Sequence, residues 1–531
     1  MHPESKKNFE KIYRACRSIL GLDTWDRFLG VCVAEAGPET FPDTLALYMN
    51  SLGLPQFLPE LARLEWHLHQ TNSNKIELPL EIGRLCVNPT VRLLQLSWKN
   101  LPSILNPQRE ASSVTPERGE ELVLVWKEPQ TGEVRTQAAS DEDLLALKIV
   151  MEEIKAEEAA LAGKVPVGAV DAAVDHAVEK GILLAPPSGI RRDPSTFPIG
   201  QDTRDDFLSS PLFTLQWHIT QACDLHCKHC YDRSERNPLK LEQGVAFLDD
   251  LRAFCRSRHV KGQVSFTGGN PLLYPHFGEL YRAAAERGLA TAILGNPAPR
   301  ERIEELLSIQ RPVFFQVSLE GLPDYNDAVR GPGHFERVIG FLEVLHDLQV
   351  YSMVMLTLTQ DNIAQVLPLA EILRERTDSF TFNRLSQVGE GARLRLPPPD
   401  AYAAFLETYL KAVEDNPILA LKDNLINVLK YQKGEELFGG CTGYGCGAAF
   451  NFLAVLSDGE AHACRKFPSL IGNIFEKSLA EIYDSDEAHR YRAGSPACRS
   501  CKIRPVCGGC LAVAHSLSLD IFEQRDPYCF F

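Results

Sequence analysis

The stretch LQWHITQACDLHCKHCYD, residues 215–232, decides how the rest of the chain is read. A β-rich apolar run, Leu212 to Ile219, gives way within a few residues to Cys223, Cys227 and Cys230 in a CxxxCxxC spacing. Three thiolates so spaced can wrap one face of a cubane 4Fe-4S cluster, leaving its fourth iron without a protein ligand and open to a small molecule. The alternative is a zinc knuckle, which needs a fourth ligand that His226 or His229 could offer.

Downstream, strand and helix signals alternate. β-rich runs recur at Val264 to Thr267, Ala290 to Leu294, Val313 to Leu319, Ser352 to Leu358 and Phe380 to Leu385. Helical periodicity fills the intervals near Leu241 to Arg256, His276 to Arg287, Arg300 to Ile309, His334 to Asp347 and Ala364 to Arg376. Six such repeats predict a parallel α/β sheet, open or a partly closed barrel, with its chemistry at the carboxyl ends of the strands. FTGGNP, whose turn spans Gly268, Gly269, Asn270 and Pro271, falls at one such end. Its two glycines allow a backbone to approach closely. VSLEG places Ser318 and Glu320 at another, and RGPGHF follows from Arg330 to Phe335. Glu320 either faces the cavity or caps the next turn. At the sixth strand Asn383 and Arg384 offer donors for a carboxylate or ribose, Arg384 through its fork.

The cysteines are partitioned. Of 15, Cys16, Cys32, Cys86 and Cys255 are scattered, three sit in the loop, and eight lie near the end: Cys441, Cys446, Cys464, Cys498, Cys501, Cys507, Cys510 and Cys529. Eight thiols can close two four-ligand sites, as iron-sulfur clusters or as two zinc sites, since paired CxxC steps are also zinc-ribbon spacing.

Upstream, residues 1–110 read as helical, with three and four spacing through Leu52, Leu54, Phe57, Leu58, Leu61, Leu64 and Leu68. A linker is expected from Asn106 to Pro116. ELVLVWKEPQTGEVRTQ reads as a hairpin, followed by helices from Asp141 to Leu161 and Val167 to Lys180, a stop at Gly181 and the short strand ILLA. That succession outlines a winged-helix-like module over residues 118–190, and a second linker runs from Pro186 to Asp206.

The whole chain has 531 residues, 44% hydrophobic and 24% charged, which excludes disorder. A formal charge of −15 speaks against a dedicated nucleic-acid binder. No run reaches membrane-span length, and the amino terminus lacks a signal-peptide core, so the expectation is a cytoplasmic protein.

The loop, the Gly-Gly turn and the VSLEG and RGPGHF segments together resemble the radical S-adenosylmethionine (SAM) superfamily, with residues 208–395 as the core: a partial (β/α)6 barrel. The resemblance implies that Cys223, Cys227 and Cys230 hold the cluster whose open iron chelates SAM. Reductive cleavage would then give a 5′-deoxyadenosyl radical that abstracts hydrogen from the substrate. It also implies that Tyr231, Gly268, Gly269, Asn270, Pro271, Ser318, Glu320 and Arg384 are cofactor-binding, with Asn270 in place of the family's usual acid; no catalytic residue is named.

CTGYGC, DGEAHAC and CRSCKIRPVCGGC, within residues 424–531, resemble the twin-cluster SPASM extension. That resemblance implies one auxiliary 4Fe-4S cluster on Cys441, Cys446, Cys464 and Cys510 and a second on Cys498, Cys501, Cys507 and Cys529, hence three clusters. Arg465 follows Cys464 where sulfatase-maturing members have an Asp, which disfavours formylglycine formation. The winged-helix-like module is similar in outline to elements that bind leader peptides. LPQFLPELARLEWHLHQ and VNPTVRLLQLSW resemble partner proteins of multinuclear iron oxidases, and the whole-chain pattern resembles selenobiotic-type peptide maturases. These resemblances imply a maturase of a ribosomally made peptide, forming a thioether, carbon-carbon or heterocyclic bond. Its partners would be a precursor peptide with its leader and a flavodoxin- or ferredoxin-type electron donor. The contrasting expectation is a zinc-stabilised binding or regulatory protein without enzyme activity.

Overall fold

The computed structural model describes residues 3–32, 37–74, 76–79, 81–105, 115–195, 197 and 204–531. It divides into two units, Met1–Pro187 and Ser188–Phe531.

The first unit is built around strand β3 (Glu117–Lys127). β3 is flanked by β2 (Arg92–Lys99) and β4 (Val134–Ala138), both antiparallel to it. Successive side chains of a strand point to opposite faces, and here both faces are buried. Val123 and Val125 pack with Tyr13, Trp25, Phe41 and Leu61 of the amino-terminal helices, whereas Leu124 and Trp126 pack with Leu147, Val170 and Ile182 on the other side. Arg92–Lys99, part of a run the sequence places in a helical domain, is therefore a strand: its apolar residues find partners across the pair with β3, not along a helix. The helix expected from Asp141 to Leu161 is two, Asp141–Met151 and Ala156–Gly163, separated where Glu153 takes a left-handed conformation of φ 52°. The last strand, β5 (Leu183–Leu184), pairs with β1 (Cys86–Val87) rather than with the hairpin. The linker expected from Asn106 lies, except for its last two residues, outside the described residues.

The second unit holds six parallel strands in sequential order: β6 (Leu212–Thr220), β7 (Lys261–Gly268), β8 (Ala290–Leu294), β9 (Phe315–Ser318), β10 (Ser352–Leu358) and β11 (Ser379–Arg384). Helices link them, as parallel pairing requires of its crossovers. The expected bounds of β8, β10 and helix His334–Asp347 are those observed. β11 does not close onto β6. The free edge of β6 instead receives β12 (Phe452–Val455) in parallel, followed by β13 (Glu460–His462) and β14 (Leu470–Asn473) in antiparallel, so one nine-stranded sheet runs from the core into the cysteine-rich tail. One hydrophobic core likewise spans Ile190 to Tyr528. The segment from Pro186 to Asp206, read as a linker, is anchored where it is described: Ile190 is in that core, and Arg191 bridges Ser209. Among the described residues no helix is long and apolar enough to cross a membrane.

Candidate active site at the strand ends

The cysteine loop leaves β6 and is seated on the Gly-Gly turn after β7. The Gly269 amide donates to the Thr220 carbonyl at 2.8 Å and the Asn270 amide to that of Ala222 at 2.7 Å. A Cβ on Gly268 or Gly269 would stand 2.2 Å from the Thr220 or Ala222 carbonyl oxygen respectively, so these glycines are required by the loop itself as much as by any ligand. Asn270 is turned inward: Oδ1 accepts from the Leu272 amide at 3.2 Å, and Nδ2 donates to Asp224 Oδ1 at 3.1 Å. Asn296 donates to the same Asp224 oxygen at 2.6 Å and lies 3.8 Å from Cys223 Sγ.

Burial pushes the Cys223 and Cys227 thiols up, and the Arg330 guanidinium, 3.7 Å from Cys227 Sγ, opposes it. Arg330 is held in turn by Glu320 at 2.5 and 2.9 Å. Glu320 also accepts from the Thr357 amide at 2.8 Å and lies 3.4 Å from His229 Nε2. Burial alone would raise this carboxyl; His229, Arg330 and the Thr357 amide outweigh it and hold Glu320 below the usual carboxylate range. Glu320 is thus neither a ligand of the cavity nor a turn cap but the anchor of Arg330, a residue to which the sequence reading gave no role. Ser318 and Arg330 do line the cavity.

That cavity, about 810 Å³, runs from the strand ends into the tail. His229, Tyr231, Gly268, Gly269 and Asn296 wall one side, and Cys441, Cys446, Cys464 and Cys510 another. Tyr231 and Arg465, each directly following a cysteine of one set, meet within it: the Arg465 guanidinium lies 3.9 Å over the Tyr231 ring. Both reach His218, Tyr231 Oη at 3.2 Å from Nε2 and Arg465 Nε donating to it at 2.7 Å. Burial, reinforced by Arg465, pulls His218 well down, so it is a neutral acceptor. Nothing in sequence spacing singled out His218.

Arg384 is not available to a ligand. Nε donates to Asp423 at 2.8 Å, and both terminal nitrogens donate to Asp526 at 3.1 and 2.6 Å. The guanidinium, with Tyr402 and Tyr528 rings at 5.3 and 5.7 Å, is a buried tie between core and tail. Asn383 and Arg384 both line the cavity, Arg384 with its donors already taken.

Of the tail thiols, Cys441, Cys446, Cys464 and Cys510 line this cavity, and Cys498, Cys501, Cys507 and Cys529 line a second, smaller one. Burial raises Cys446 to about 11 and Cys464 to about 12, and the charges that add to it come from within Cys441, Cys446 and Cys510. Cys498, Cys501 and Cys507 are raised first by burial; Cys529 adds to all three, Asp526 and Cys501 to Cys507, and Cys501 to Cys498. Among the described residues no three His, Cys, Asp or Glu side chains converge on a point as a single metal ion requires.

The family model of the radical SAM superfamily matches residues 217–373, and that of the SPASM iron-sulfur cluster-binding domain matches residues 446–502. The chain carries a radical SAM domain and a SPASM domain, and these domains imply 4Fe-4S clusters and SAM as cofactors. An AdoMet-dependent heme synthase of Methanosarcina barkeri is 26% identical over 344 residues, 60% of this chain and 96% of that one. The mycofactocin maturase MftC of Mycolicibacterium smegmatis is 28% identical over 342 residues, 61% of this chain and 83% of that one. In fold, the chain is similar to Streptococcus suis SuiB bound to its precursor peptide SuiA, with a TM-score of 0.50 at 18% identity, covering 77% of this chain and 97% of that one. Ser188–Phe531 is only about two thirds of the chain, so this last likeness extends into the first unit.

Proposed function

We propose that the chain is a three-cluster maturase that modifies a ribosomally made precursor peptide, working in a reducing cytoplasm with a flavodoxin- or ferredoxin-type donor. The observation that carries this reading is the continuous cavity between the strand-end loop and the first tail set, with room for SAM and a segment of chain. Bound by Cys223, Cys227 and Cys230, a 4Fe-4S cluster supplies the electron that cleaves SAM. The residues around it position and shield. Gly268 and Gly269 line the cavity without a Cβ, Ser318 and Asn296 line it with polar side chains, and Arg330 sets the charge beside Cys227. Arg465 fills the position after Cys464 with a cation already bonded to His218, so no carboxylate base stands there and formylglycine chemistry is disfavoured.

In the first unit β2 and β4 are each paired on one side only, leaving edges to which a leader peptide can add a strand. SuiB, solved with a precursor peptide, supports a peptide substrate, and its likeness covers 77% of this chain. The heme synthase supports a tetrapyrrole; its match covers 60% of this chain, as the MftC match covers 61%, and leaves the first unit unexplained. Anaerobic incubation of the reduced enzyme with SAM and a precursor peptide, sought among small peptides encoded near its gene, tests the reading. It predicts about 12 irons per chain and a peptide product formed together with 5′-deoxyadenosine. Turnover of an iron porphyrin and not of the peptide contradicts it.

A further inference from the structure

Arg192 lies just upstream of the core and is 5% exposed. One terminal nitrogen donates to the Arg492 carbonyl at 3.1 Å, the other to those of Tyr444 at 2.9 Å and Cys446 at 2.7 Å. Its guanidinium stacks on Phe197 at 4.4 Å and Phe450 at 4.0 Å, and its Nε is buried with no hydrogen-bond partner. Among the described residues no carboxylate pairs with it. The charged and ionisable groups facing it are Cys446 and Tyr483 on one hand and two further cations, Arg492 and Arg504, on the other. Arg504 stacks on the opposite side of the same Phe197 ring, at 4.3 Å, and its guanidinium donates to the Ala493 carbonyl.

A buried cation held only by carbonyl dipoles and ring faces keeps its net charge uncompensated, an arrangement that folded proteins avoid. Two other arginines of this unit obey that rule, Arg330 with Glu320 and Arg384 with Asp423 and Asp526. The missing anion is supplied if the neighbouring thiols carry an iron-sulfur cluster. Four thiolates around such a cluster leave a net negative charge that grows by one on reduction, and nearby charge sets the reduction potential.

We propose that Arg192 is the counter-charge of the auxiliary cluster held by Cys441, Cys446, Cys464 and Cys510, and that it raises that cluster's reduction potential. This rests on the three-cluster reading. The cation favours the more negative, reduced form, so removing it moves the potential down. Arg192 is a positioning residue in this sense, touching the Cys446 backbone and not the substrate.

The test is a redox titration followed by electron paramagnetic resonance. It uses the full chain with Cys223, Cys227 and Cys230 changed to Ala, so that only auxiliary signals remain. In Arg192→Met the reduced-to-oxidised ratio of one cluster at fixed potential falls at least about ten-fold, a shift of about 59 mV for one electron. The other cluster moves less, and Arg192→Lys keeps most of the original ratio. An unchanged ratio in Arg192→Met with iron retained overturns the proposal. If Arg192→Met loses iron, retention of iron and potential in Arg192→Lys supports it, whereas loss in both overturns it. A parent protein with no auxiliary iron overturns the three-cluster reading beneath it.

Discussion

Beside the strand-end loop the cation nearest a thiol, Arg330, is tied to a buried carboxylate, whereas beside the first tail set Arg192 reaches the Cys446 backbone with no carboxylate at all. In the first region the protein supplies both charges of the pair, Glu320 and Arg330. In the second it supplies the cation, and on the proposal above a bound cluster would supply the anion. The two sites would then differ in where their counter-charge comes from: the protein itself in one case, the bound group in the other.

That contrast can be broken at the loop without touching the tail. Gly269→Ala puts a Cβ against the Ala222 carbonyl, which cannot yield without moving the cysteine loop. The expected outcome is loss of SAM cleavage and of about four irons per chain, with the tail's iron kept; full iron content in this variant would show that the turn does not seat the loop. A smaller effect is expected from Glu320→Gln, which leaves Arg330 buried and unpaired. It should cost about 3–5 kcal/mol of stability in anaerobic denaturant unfolding. Adding Arg330→Met should restore much of it, because the pair and not the carboxylate alone is what burial tolerates. If the double variant is as unstable as the single one, Glu320 serves some other group than Arg330.

The barrel was legible in the sequence because each strand and helix carries its own periodicity, as in Ala290–Leu294, Ser352–Leu358 and His334–Asp347. The two cysteine-bearing domains were legible because their spacings are local or family-specific. What could not be read was decided by partners far along the chain. Arg384 looks like a ligand at a strand end until Asp423 and Asp526, 39 and 142 residues on, take its donors. Glu320 looks like one until Arg330 folds back onto it. Arg92–Lys99 carries no helix-breaking residue, and only its pairing with β3 shows it to be a strand. His218 and Arg192 belong to no motif, and their roles come from burial alone.

The central claim is that Cys223, Cys227 and Cys230 form the site of SAM cleavage. It is tested most directly by measuring 5′-deoxyadenosine released by the anaerobically purified, chemically reduced chain, beside the variant in which all three are Ala. The account predicts SAM-dependent release by the parent chain and none by the variant, with auxiliary iron retained in both. Release of 5′-deoxyadenosine by the triple variant would contradict it.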